Sequence, residues 1–178
     1  AKLGSDIPFC ISGGTALATG RGERLSPLPS FGPLYLVLAK HRQLAVSTAW
    51  AYQTYRQQFG DTYIAEDAVE ERHSQIHAAP LIAALMKQDA RALGEQLYND
   101  LEKVILPAHA EVLELKAALE AQNPLGVLMS GSGPTVFALV SSPDEAKRVA
   151  EGAHGILQNP EIDFWITRGC PTGAQLVG

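Results

Sequence analysis

The sequence predicts an α+β fold built on a largely antiparallel sheet. Three observations predict it. Strand-like segments gather at both ends, a helical block lies between them, and the final third alternates strand with helix. A chain of 178 residues suits one or two compact domains with a sizeable core.

Thr15–Thr19 and Arg24–Pro27 read as strands flanking a Gly20-Arg21-Gly22 turn, and Leu34–Ala39 is an apolar run of strand length. From Thr48 the period changes. Thr48, Tyr52 and Tyr55 fall at helical spacing, and no breaker interrupts the chain before Gly60. Residues 61–74 are polar and acidic and read as an exposed connection. Helices are expected over 75–87, opened or kinked by Pro80, and over 90–102. Pro107 is expected to start a longer helix that places Ala108, Val112, Leu115 and Leu119 on one face. Residues 126–130 and 135–140 are β-compatible around Gly131-Ser132-Gly133-Pro134. Ser142-Pro143-Asp144-Glu145 is a capping box opening a helix to about Ala153, and residues 162–167 form a last strand.

Composition narrows the function classes. With 14 Lys plus Arg against 19 Asp plus Glu the net charge is −5, which argues against nonspecific binding to nucleic acid or anionic membranes. Hydrophobic residues make up 46% and charged residues 19%, a globular balance. No apolar run nears the roughly 18 residues of a membrane span. Cys10 and Cys170 make neither a disulfide framework nor a metal site, so a reducing compartment is expected. The chain opens at Ala1 without Met or a signal-like leader, as expected of a processed start or of a piece of a longer protein.

Three places could carry chemistry. Asp6, the lone carboxylate of Leu3-Gly4-Ser5-Asp6-Ile7-Pro8-Phe9, reads either as a helix cap or turn former or as a catalytic group. Gly131-Ser132-Gly133 is either a plain hairpin turn or an anion-binding nest of successive amides. It is neither a Walker A loop nor a dinucleotide fingerprint. Thr48 and Tyr52 share one helical face, where Tyr52 is either core or a stacking platform for a nucleobase. His41, His73, His77, His109 and His154 show no zinc spacing, and no metal ligand is assigned.

The residues Leu3-Gly4-Ser5-Asp6-Ile7-Pro8-Phe9-Cys10, Gly13-Gly14-Thr15-Ala16 and Thr19-Gly20-Arg21-Gly22-Glu23 together resemble one family. Asn99-Asp100-Leu101-Glu102 and Met129-Ser130-Gly131-Ser132-Gly133-Pro134-Thr135-Val136-Phe137 match two further stretches in the same order. The family is that of the 4-diphosphocytidyl-2-C-methyl-D-erythritol kinases, within the GHMP kinase superfamily. The Ser-Gly-Ser-Gly stretch is shared across the superfamily, whereas the segment around Asp6 and the Thr-Gly-Arg-Gly-Glu turn are particular to this family. The resemblance is weakest over 61–74 and after Gly169.

It implies a ferredoxin-like C-terminal GHMP domain over 31–178, preceded over 1–30 by the end of a ribosomal S5 domain 2-like N-terminal domain. It implies transfer of a phosphoryl group from ATP, with Mg2+, to the 2-hydroxyl of 4-diphosphocytidyl-2-C-methyl-D-erythritol, in bacterial cytoplasm or plastid stroma. Asp6 takes the position of the catalytic aspartate, Thr48 that of a threonine near the reacting end, and Tyr52 that of the aromatic against cytosine. Gly131, Ser132 and Gly133 take the turn beside the phosphate site. The superfamily's Gly-Leu-Gly ATP loop and the family's opening lysine-bearing strand have no match here, so the isolated chain is expected to be inactive. Two alternatives remain on the same residues: another GHMP small-molecule kinase, such as one acting on mevalonate or homoserine, and a non-catalytic ligand-binding module on this scaffold.

Overall fold

The computed structural model describes Gly4 and residues 6–20, 22–62 and 78–175. Residues 63–77, which hold most of the expected acidic connection with His73 and His77, lie outside the described residues. The chain packs as two compact units, one of residues 1–33 with 168–178 and one of residues 34–167.

In the first unit, helix α1 (Ile7–Ser12) leads into a hairpin of β1 (Thr15–Thr19) and β2 (Arg24–Leu28). The strands pair antiparallel from Thr15 opposite Leu28 to Thr19 opposite Arg24. Gly13, at φ 66°, ends α1 where two backbones touch. A Cβ there would lie 2.0 Å from the Gly173 nitrogen, and Ala174 N–H donates to the Cys10 carbonyl at 2.9 Å. Only glycine fits that crossing.

The second unit begins with β3 (Tyr35–His41) and α2 (Thr48–Phe59), and a single 3₁₀ turn extends α2 to Thr62. Helices α3 (Ala78–Met86), α4 (Ala90–Glu95), α5 (Glu102–Ala108) and α6 (Ala110–Glu120) follow. The unit closes with β4 (Gly126–Met129), β5 (Val136–Val140), α7 (Pro143–Leu157) and β6 (Ile162–Arg168). The sheet order is β4-β5-β3-β6, with β5 antiparallel to both of its neighbours. Strand, helical block, two strands, helix and strand in that order give the ferredoxin-like arrangement.

One face of the sheet offers Val37, Ala39, Met129, Val136, Ala138, Val140 and Ile162 to the helices. Against them pack Val112, Leu115 and Leu119 of α6 and Ala146, Val149 and Ala153 of α7. These positions recur at three- and four-residue steps, so each helix buries a single stripe. Leu115 and Leu119 are fully buried, and each side chain of that kind contributes about 2 kcal/mol.

The capping box forms, with a shift in register. Ser142 Oγ accepts from Glu145 N–H at 3.1 Å, while Glu145 Oε2 reaches back to Ser141 N–H at 2.7 Å. Helix α7 continues to Leu157, where Gln158 closes it in the left-handed region at φ 46°.

Two expected helices differ from the observed ones. The expected 90–102 helix stops at Glu95, because Asn99 and Asp100 direct their side chains to other elements. Pro107 does not start a helix. It lies in the last turn of α5, and His109, with φ −132° and ψ 88°, makes the break before α6. Val112, Leu115 and Leu119 keep their buried face, whereas Ala108 belongs to the preceding helix and is exposed.

Candidate functional site

Thr48 opens α2. Ser47 caps it, its Oγ accepting from Trp50 N–H at 3.3 Å, which leaves Thr48 as the first residue inside the helix. The Thr48 and Ser132 hydroxyls meet at 2.9 Å, joining α2 to the β4–β5 turn. One helical turn further along α2, Tyr52 is 56% exposed. The core tyrosine of this helix is Tyr55, 9% exposed, whose ring lies 5.1 Å from that of Phe59.

The turn that carries Ser132 is a hairpin turn. Ser130 N–H donates to the Thr135 carbonyl at 2.8 Å and Gly133 N–H to the Ser130 carbonyl at 2.9 Å. Gly131 and Gly133 take φ values of 56° and 73°, which L side chains rarely adopt. A Cβ on Gly133 would also lie 2.8 Å from Met129 Sδ, so the second glycine is fixed by packing as well.

Two residues of the Asn99–Glu102 stretch, Asn99 and Glu102, support this turn, and a third, Asp100, grips α2. Asn99 Nδ2 donates to the carbonyls of Met129 and Gly131, both at 2.8 Å. Glu102 Oε1 accepts from Met129 N–H at 2.7 Å, and its Oε2 accepts from Lys116 Nζ at 2.6 Å. Both partners of that ion pair have side chains only 15% exposed. Asp100 Oδ1 accepts from Tyr55 Oη and Tyr98 Oη at 2.9 Å and from Lys103 Nζ at 2.8 Å. Burial works to raise the Asp100 carboxyl, but the bonds from Lys103, Tyr98 and Tyr55 outweigh it and hold the group below its ordinary value. The hydrogen bond that Lys103 donates to Asp100 in turn raises the lysine, whose Nζ lies 5.5 Å from the ring centroids of Phe59 and Tyr98. Asn99 carried a sequence signal only as a turn-forming Asn just before a helix, and nothing local told which strand ends it would grip.

In the first unit, Asp6 stands at the N-cap position of α1 and is exposed. Its backbone carbonyl accepts from Cys10 N–H at 3.1 Å, but its carboxylate makes no capping hydrogen bond. The simple cap reading therefore lacks its defining contact. Among the described residues no group of three or more His, Cys, Asp or Glu side chains could hold a metal ion. No described helix is long and apolar enough to cross a membrane.

Comparison with known proteins places this architecture. Residues 81–155 match the GHMP kinases C-terminal family. The chain is 49% identical over 178 residues to the 4-diphosphocytidyl-2-C-methyl-D-erythritol kinase of Acaryochloris marina, covering 99% of this chain and 57% of that protein. The protein of the same name from Synechocystis is also 49% identical, with 99% of this chain and 56% of that protein covered. A crystal structure of 4-(cytidine 5'-diphospho)-2C-methyl-D-erythritol kinase is 30% identical with a TM-score of 0.69, covering 95% of this chain and 55% of that one. A homoserine kinase from Cytophaga hutchinsonii, 21% identical with a TM-score of 0.67 over 94% of this chain and 52% of that one, shares the fold. The chain thus spans a little over half the length of the curated relatives it matches. Residues 81–155 thus form a GHMP kinases C-terminal domain, and along nearly all of the chain its relatives are 4-diphosphocytidyl-2-C-methyl-D-erythritol kinases.

Proposed function

We propose that this chain serves a kinase that moves the γ-phosphoryl group of ATP, carried with Mg2+, to the 2-hydroxyl of 4-diphosphocytidyl-2-C-methyl-D-erythritol. The reading concerns the protein at the full length of its relatives, with residues 1–30 as the end of its first domain. The observation that carries it is a hydroxyl pair, Thr48 with Ser132 at 2.9 Å, one turn from an exposed tyrosine, in a chain 49% identical to kinases of that name.

Each residue has a physical task in this reading. Asp6 orients the acceptor hydroxyl and takes its proton as the new O–P bond forms. The γ-phosphorus separates from the β–γ bridging oxygen, which leaves as part of ADP, and Asp6 later returns its proton to solvent. Phosphoryl transfer has a loose transition state, so positioning and charge stabilisation supply most of the acceleration. The acceptor is a hindered tertiary alcohol, which makes orientation the larger share. Thr48 and Ser132 offer hydroxyls at the reacting end. Tyr52 offers an exposed π-face to cytosine, and stacking of that kind needs no base-edge partner. The Gly131–Gly133 turn lies beside the phosphates. ATP and its Mg2+ are substrate here, and no step is assigned to a metal site on this chain.

Asp6→Asn in the full-length protein tests the assignment. We expect kcat to fall ~10² or more with nucleotide affinity nearly unchanged, the scale of a positioned acid–base group. Retained kcat with lowered melting temperature alone would make Asp6 a turn former.

A further inference from the structure

Asn99 and Asp100 are adjacent in sequence and grip two different elements. The Asn99 amide is fully engaged: Nδ2 donates to the Met129 and Gly131 carbonyls at 2.8 Å each, and Oδ1 accepts from Leu101 N–H at 3.0 Å. A flipped amide would set an oxygen against two carbonyls, so this network fixes its orientation. Asp100 grips α2 through Tyr55 Oη at 2.9 Å. Tyr55 lies 55 − 48 = 7 positions from Thr48, two turns along the same side of that helix. The contacts therefore close a ring, from Thr48 along α2 to Tyr55, across to Asp100 and Asn99, on to Gly131 and Ser132, and back to Thr48. A Cβ on Gly131 would meet nothing within 4 Å, and the Asn99 amide grips the carbonyl of that residue.

We propose that Asn99 and Asp100 form a positioning clamp that sets the Thr48–Ser132 hydroxyl pair, Asn99 by fixing the turn and Asp100 by fixing α2. This rests on the reading of Thr48 and Ser132 as residues of the reacting end. Neither clamp residue needs to touch substrate; each acts through the hydroxyls it places. A loosened turn would leave binding largely intact and lose rate, because reacting groups misplaced by an ångström can cost 10²-fold.

The test uses the full-length protein with Asn99→Ala, Asp100→Asn, Ser132→Ala and the Asn99→Ala/Ser132→Ala double variant. Asn99→Ala should speed hydrogen exchange of the Gly131–Gly133 amides while the α6 amides keep their protection. It should lower kcat by about 10-fold or more with the KM for ATP unchanged, and Asn99→Asp, which loses both donors, should do the same. In the Ser132→Ala background, Asn99→Ala should add no more than about twofold, since both act through one hydroxyl. Asp100→Asn should lower kcat in the same direction, and it carries the test should Asn99→Ala fail to fold. Unchanged exchange at the turn, or kcat losses that multiply in the double variant, would overturn the clamp. A wild-type protein inactive toward the cytidyl acceptor would remove the kinase reading, and the exchange measurement would still decide the clamp.

Discussion

Tyr52 and Tyr55 lie three residues apart on one helix, and the structure gives them opposite fates. Tyr55 is 9% exposed, stacks near Phe59 and donates its hydroxyl to Asp100. Truncating it removes a buried ring and leaves Asp100 one donor short, so Tyr55→Ala should cost about 3–5 kcal/mol of folding stability. Tyr52 is 56% exposed, so Tyr52→Ala should change stability by no more than about 0.5 kcal/mol. If its ring stacks on cytosine, the same change should cost about 1–3 kcal/mol of acceptor affinity, or roughly 5- to 150-fold in Kd. Tyr52→Phe keeps the π-face and should be nearly silent. Denaturant melts and calorimetric titration with the cytidyl acceptor, run on the full-length protein, read both quantities from the same samples. ATP affinity should not move. A Tyr52→Ala protein that loses stability on the Tyr55→Ala scale, or that binds the acceptor normally, would refute the reasoning.

Other changes probe the scaffold beneath the site. Glu102→Ala takes the 2.6 Å partner from the largely buried Lys116 ammonium, leaving it Glu120 at 3.8 Å, and takes the acceptor from Met129 N–H, so denaturant unfolding should show a loss of about 1–3 kcal/mol. A loss below about 1 kcal/mol would mean that the pair is solvated. Gly94→Ala would put a Cβ 2.1 Å from the Leu125 carbonyl oxygen, and the α4–β4 crossing should open at a cost of about 1–3 kcal/mol, seen as a lowered Tm. Asp100 is held below its ordinary pKa in the fold, so its stabilisation is complete above the unfolded value of about 3.9 and is lost as pH falls through the lowered folded value. Melting temperature should therefore drop more steeply below about pH 4 in the wild type than in Asp100→Asn.

Much of this fold is legible in the sequence because its signals are local. The Ser142–Glu145 capping box, the glycines at 20 and 22 and the apolar run from Leu34 each specify structure within a few residues, and the corresponding elements form there. The helix break after Glu95 is different. Asn99 and Asp100 end helical continuity by bonding to a hairpin turn and to α2, far along the chain, and no local pattern encodes those partners. Helical spacing likewise places Thr48, Tyr52 and Tyr55 on neighbouring positions without saying which ring is core. That choice falls to α5 and the Asp100 carboxylate, which cover Tyr55 and leave Tyr52 outside. The Thr48–Ser132 contact was not foreseeable from spacing at all, since it joins elements 84 positions apart. Spacing marks Thr48 and Ser132 as separate candidates, and only the family resemblance assigns both to the reacting end.

Phosphoryl transfer by the full-length protein tests the central claim most directly. Incubated with ATP, Mg2+ and 4-diphosphocytidyl-2-C-methyl-D-erythritol, it should form ADP and one new phosphomonoester, which phosphorus NMR places on the 2-oxygen. Mevalonate and homoserine should give no phosphorylated product under the same conditions, and the 178-residue chain by itself should give none with any acceptor. Turnover by the 178-residue chain alone, or a full-length protein that phosphorylates mevalonate or homoserine in preference to the cytidyl acceptor, would contradict the account.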